Sequence, residues 1–216
     1  MEEQKNMTAE RSLEIITHSI EQSRRDIERG SWKYMLLWGV SVSVIALVVG
    51  HLWKHYPIGP GANGLWGLLG FVGIYDYIMQ KRQPRKPLTF ISKNINYVWS
   101  CFGVMAGSIG FTLGLLGGSG LLSHTTSAPL PPGAEVLVYY IPITCIIIFS
   151  MGVAGMITGC MLRNKLIVVS SFLSGAIGSI LSVMFAGPNE MIVLSGVSVL
   201  ALILPALVIR FKENGE

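Results

Sequence analysis

Charged residues are scarce in this sequence: Asp, Glu, Lys and Arg make up 13% of its 216 residues, against about a quarter in an ordinary soluble domain. That shortfall excludes a solvated globular surface for most of the chain. Acidic residues are scarcer still inside the long apolar stretches, where Asp76 stands alone. Cysteine is nearly missing, and Cys101, Cys145 and Cys160 all fall in apolar runs without CxxC spacing. A disulfide framework or a thiolate metal site is therefore excluded, and the three read as small apolar packing residues. The sequence also lacks G-x-S-x-G, Walker A, G-x-G-x-x-G and paired acids within the apolar stretches. With hydrophilic pieces too short for a soluble catalytic domain, the expectation is a protein that is not an enzyme and carries no cofactor.

What is abundant is hydrophobicity, at 51% of the chain with a mean hydropathy of +0.56. It is concentrated in six runs, approximately residues 34–53, 64–80, 95–118, 136–162, 166–186 and 191–209. A helix needs about 20 residues to cross about 30 Å of hydrocarbon. Five runs reach or approach that length and the second is the short one. They are too long and too evenly apolar for barrel strands of about 10 alternating residues. A charged stretch, residues 1–33, precedes the first run, which argues against a cleavable signal. The expected fold is an all-α integral membrane protein. Residues 32–210 form a six-helix transmembrane bundle, residues 1–31 a cytoplasmic amphipathic helix and residues 211–216 a cytoplasmic tail.

Basic residues fix the expected orientation. Of the 16 Lys and Arg, only Lys54 falls in the odd-numbered connections; the rest lie in the N-terminal segment, the even-numbered connections and the C-terminal tail. The positive-inside rule places both termini in the cytoplasm and the chain in a cell inner (plasma) membrane, with the bilayer rather than nucleic acid as the partner of the basic residues. Trp32, Tyr34, Trp53, Tyr56, Tyr97 and Trp99 fall near the interfaces of that topology, where amphipathic rings are favoured.

The N-terminal segment TAERSLEIITHSIEQSRRDIERG, residues 8–30, is the most patterned hydrophilic stretch. Leu13, Ile16, Ile20 and Ile27 lie on one helical face, with Thr8 as a cap and Gly30 as a stop before the first span. The stripe suits the membrane surface, the protein's own bundle, or a protein partner or second copy bound through residues 8–30.

Small residues set the expected packing. Gly103, Gly107, Gly110, Gly114 and Gly117 recur at 4, 3, 4 and 3 residues, one continuous stripe that nominates the third span as the central, tightly packed helix. Gly152, Gly155 and Gly159 mark the fourth, and Ser171, Ser174, Gly175, Gly178 and Ser182 cluster on one side of the fifth. Packing is the preferred reading of these serines over pore lining. Pro142 and Pro205 are expected to kink their helices.

Two places hold residues with chemistry. Asp76, in GIYDYIMQKR, is an intramembrane carboxylate and so a candidate ion or proton site. Its position five residues before Lys81 favours an interfacial anchor, with Trp38, Trp99 and Ser100 as donors and Lys81 or Lys93 as basic neighbours. His51 and His55 have the i, i+4 spacing that can hold a metal. A third ligand would have to come from His124, Glu135 or Glu190, and no Glu occupies the HExxH position, so interfacial histidines without metal are expected.

SLEIITHSIEQSRR at residues 12–25, LLWG at 36–39, YVWSCFG at 97–103 and GMITGCMLRNK at 155–165 resemble an uncharacterised family of small bacterial multi-span membrane proteins. The resemblance implies a multi-helix inner-membrane protein and supplies no catalytic residue. Two functions are expected: a regulatory or scaffolding membrane protein acting through its N-terminal helix, or a small transporter or channel using Asp76 as a coupling site.

Overall fold

The computed structural model describes residues 9–82, 89–118 and 143–215, and these are helical with no strand. Helix α1 runs from Ala9–His55, followed by a 3-10 helix Gly59–Gly67 and α2, Leu68–Arg82. Then come α3, Phe90–Gly118; α4, Ile143–Leu162; α5, Lys165–Met184; α6, Glu190–Ser198; a π turn Val199–Ile203; and α7, Leu204–Gly215. Four helical stretches, Arg11–His55, Ile143–Leu162, Lys165–Met184 and Glu190–Glu213, are long and apolar enough to cross a membrane. Thr8, Pro142 and residues 136–142 lie outside the described residues.

Exposure follows a pattern suited to lipid. Large apolar side chains such as Phe71, Val104, Phe111 and Met184 are exposed, while Ser43, Ser171, Ser174, Ser182 and Ser198 are buried. In water that much exposed apolar surface would cost about 25 cal/mol per Å². In hydrocarbon it costs nothing, and small buried residues let helices approach.

The amphipathic helix and the first apolar run form one rod of 47 residues. Gly30 does not end it. A lone interior glycine costs only about 1 kcal/mol. The next turn is also secured, since Ser31 Oγ donates to the Glu28 carbonyl at 2.7 Å and Trp32 Nε1 to Glu213 Oε2 at 2.8 Å. The rod stops where Pro57, Gly59 and Pro60 make helix continuation unfavourable, and Gly59 adopts φ +54°.

The main core joins α1 to α4 and α6 through Ile45, Ala46, Val49, Ile148, Met151, Met191, Leu194 and Val197. A second cluster of Leu162, Ile167 and Ile209 is covered by Ile27, Trp32, Met35, Ile91 and Ile95. This cluster gathers the N-terminal part of α1, the start of α3, the α4–α5 turn and the end of α7 at one end of the molecule. The described basic residues beside these elements, Lys33, Lys93, Arg163, Lys165 and Arg210, therefore share that end.

Helix α3 is not the tightly packed centre. A Cβ added at Gly103, Gly107 or Gly110 would meet nothing within 4 Å, and for Gly114 and Gly117 only the helical backbone is described. The helix turns Trp99 and Phe102 to the core instead. The tightest seam is α4 on α5, where a Cβ at Gly152 would lie 2.6 Å from Gly175 Cα. Ser171, Ser174, Gly175, Gly178 and Ser182 are all on the buried side of α5. Ser174 and Ser182 donate to carbonyls of their own helix at 3.2 and 2.8 Å.

The second expected span is a composite. GPGANGLWG, poor in helix formers, winds as a 3-10 helix, and α2 adds 15 residues of which none is buried. Around Pro205 the sixth run widens into a π turn, with Leu204 N–H donating to the Val199 carbonyl. Proline has no N–H for the carbonyl four residues back and its ring crowds that carbonyl, so the preceding turn opens.

Candidate functional site

Asp76 projects from α2 toward α1. Trp38 Nε1 donates to its Oδ2 at 3.3 Å, and Gln80 Nε2, one turn on, donates to the same oxygen at 3.1 Å. Gly73 faces the same indole, where a Cβ would make ordinary contact at 3.7 Å from the Trp38 ring. The other oxygen, Oδ1, is buried and has no hydrogen-bond partner. An unmet buried acceptor costs about 1–3 kcal/mol.

Of the neighbours the sequence nominates for Asp76, only Trp38 reaches it. Trp99 Nε1 donates to Thr158 Oγ1 at 3.0 Å, and the Thr158 hydroxyl donates in turn to the Ala154 carbonyl at 2.8 Å. Ser100 is exposed on α3. Lys93 lies 5.8 Å over the Tyr97 ring, and Asp76 makes no ion pair among the described residues. The expectation of basic neighbours is thus corrected to an indole and an amide. Gln80 was legible as an i+4 partner.

His51 and His55 stack with ring centroids 4.8 Å apart on an exposed face of α1. Among the described residues no group of three His, Cys, Asp or Glu gathers where a metal could be held.

The N-terminal part of α1 is latched to the bundle. Arg163 Nη1 donates to Glu21 Oε1 at 2.9 Å, and Asn164 Nδ2 donates to Glu28 Oε1 at 2.7 Å. Farther along, Arg210 lies 5.1 Å over the Trp32 ring. Ile27 is half-buried in the second cluster. Beyond Glu21 the stripe is open: Leu13, Ile16 and Ile20 are 64%, 54% and 43% exposed.

The residues that receive this latch sit in a strained turn. Asn164 N–H bonds the Gly159 carbonyl at 2.9 Å and Arg163 N–H the Cys160 carbonyl at 3.2 Å, the paired bonds of a Schellman ending. The left-handed position, φ +55°, is held by Arg163 where glycine would be unstrained. Asn164 Oδ1 then accepts from Leu166 and Ile167 N–H and caps α5. One dipeptide thus ends α4, starts α5 and binds two glutamates of α1.

A second group escaped the sequence reading. Gly39, Ser43, Ala46 and Gly50, at spacings of 4, 3 and 4, are all buried. A Cβ at Gly39 would lie 2.8 Å from Ile203 and one at Gly50 2.9 Å from Met191. Ser198 Oγ donates across the seam to the Gly39 carbonyl at 3.0 Å. The same small-residue periodicity that picked out α3 was present here.

No family model, curated protein or solved structure matches this chain.

Proposed function

We propose that this chain is a non-enzymatic polytopic protein of a cell inner membrane, with six spans and both termini cytoplasmic. On this reading it has a regulatory or scaffolding role through its N-terminal helix. The observation that carries the proposal is the contrast along α1. Glu21, Glu28 and Trp32 bind the bundle, while Leu13, Ile15 and Ile16 stay exposed on the same unbroken helix. A docking element held in fixed orientation loses less conformational entropy on binding than a free one. The gathering of Lys33, Lys93, Arg163, Lys165 and Arg210 at the latched end supports a cytoplasmic placement of that end.

Deleting residues 1–30 would also remove Ile27 and the latch, so the test keeps the helix and changes only its exposed tip. A photocrosslinker at position 16 in intact cells is expected to capture one protein species, lost when Leu13 is changed to Ser. Crosslinks to lipid alone would assign the stripe to the membrane surface and overturn the docking role.

The buried, unpartnered Asp76 Oδ1 favours a second reading, a small transporter or channel with Asp76 as coupling site. Asp76→Asn would then abolish ion-coupled flux in proteoliposomes while leaving assembly intact. A variant that changes only the yield of folded protein makes Asp76 an anchor between α1 and α2.

A further inference from the structure

At the latched end, where α1 passes the start of α3 and the end of α4, the helices line a cavity of about 500 Å³. Its wall has two characters. Ile20, Phe90 and Met161 make it apolar, whereas Ser23, Arg24 and Asn94 supply polar groups. Ser23 Oγ and Arg24 Nε are buried without a hydrogen-bond partner. Both atoms are closed off beneath the wall, so what the cavity offers a ligand is the exposed remainder of the Arg24 side chain together with Asn94.

The charge beside this wall is also unbalanced. Glu21 Oε1 accepts from Arg163 at 2.9 Å and from Arg24 at 3.4 Å. The shorter pair neutralises Glu21, and Arg24 remains as net positive charge at the cavity. A fitting ligand brings anionic acceptor oxygens for Arg24 and an apolar portion for Ile20, Phe90 and Met161. The volume lies within the range of small-molecule sites, about 300–1,000 Å³. Guanidinium matches phosphate oxygens well, and a free phosphate ion would leave the apolar wall unused.

We propose that this cavity binds the headgroup of an anionic phospholipid, its phosphate against Arg24 and the start of its acyl chains against Ile20, Phe90 and Met161. The site rests on the membrane reading of the chain for its ligand, and is independent of what docks on the tip of α1.

The test uses the full chain, purified in detergent and titrated with phosphatidylglycerol, with bound lipid counted by native mass spectrometry. One saturable adduct is expected. Arg24→Gln should weaken it about tenfold or more, as loss of a charge-assisted contact does. Arg25→Gln removes the same charge from an exposed neighbour outside the cavity and should leave the adduct unchanged. Should Arg24→Gln fail to assemble, Phe90→Ser, at an exposed residue of the wall, carries the same expectation of weakened binding. Equal losses in Arg24→Gln and Arg25→Gln would reduce the effect to surface attraction and overturn the site. Glycerol 3-phosphate competing as well as the intact lipid would overturn the apolar half and point to a soluble phosphate. Extraction of the chain from cell membranes by alkaline carbonate would overturn the membrane reading itself. A carbonate-resistant chain with no saturable phosphatidylglycerol binding would overturn only this site.

Discussion

The α4–α5 seam and the stripe along α3 both place glycines a helical turn apart: Gly152, Gly155 and Gly159 in one, Gly103, Gly107 and Gly110 in the other. In the seam, Gly152 meets Gly175 backbone to backbone; in the stripe, nothing stands within 4 Å of where a Cβ would be. The difference lies in the partner. Helix α5 offers Gly175 and Ser171 to Gly152 and Gly155, whereas α3 turns its aromatic face to the core. A glycine groove is used only where a neighbour is placed to fill it, by backbone as at Gly175 or by a side chain as Ile203 does at Gly39, and the groove by itself carries no information about that neighbour.

The largest expected effect is at the seam. Gly152→Ala must push two backbones apart and should cost about 3 kcal/mol, the upper end of overpacking penalties, read from SDS-induced unfolding in mixed micelles. Gly39→Ala, which meets Ile203 Cγ1 and Leu202 Cβ, atoms held close to the backbone, should cost about 2 kcal/mol in the same assay. Gly107→Ala should go the other way, gaining up to about 1 kcal/mol of helix propensity with no clash. Similar losses at positions 107 and 152 would erase the distinction between the two regions.

The smallest effect concerns the turn that joins the seam's helices. Arg163→Gly relieves a left-handed residue but removes the ion pair with Glu21, whose partners are 68% and 39% exposed. Exposed pairs contribute at most about 1 kcal/mol, so stability should change little. Limited proteolysis within residues 9–30 should nevertheless become faster. Unchanged cleavage would show that Asn164 and Ile27 hold the helix without Arg163.

Helical architecture and the positions of the apolar runs were legible because a long apolar run has few alternatives. Five of the six runs appear in long helical stretches. Partnering was not legible. Gly39, Ser43, Ala46 and Gly50 carry the same periodicity as α3, yet only the former bury it. Gly30 looked like a stop because local propensity favours one there, but tertiary bonds at Trp32 outweigh a cost of about 1 kcal/mol. At Asp76 the sequence supplied Trp38 and missed Gln80, because basic residues nearby in sequence drew attention from the amide one turn away. The paired role of Arg163 and Asn164 depends on a left-handed residue that is not glycine, which sequence preferences argue against.

Helix α1 has a mechanical consequence. At about 1.5 Å per residue its 47 residues make a rod about 70 Å long, with no joint between the exposed tip and the segment threaded against α6. A load applied at Leu13 is therefore delivered as torque around the Gly39–Gly50 seam, with the Glu21–Glu28 latch as fulcrum. Whatever grips the tip does work on the interior packing of the bundle, and any rearrangement of that packing swings the tip in return.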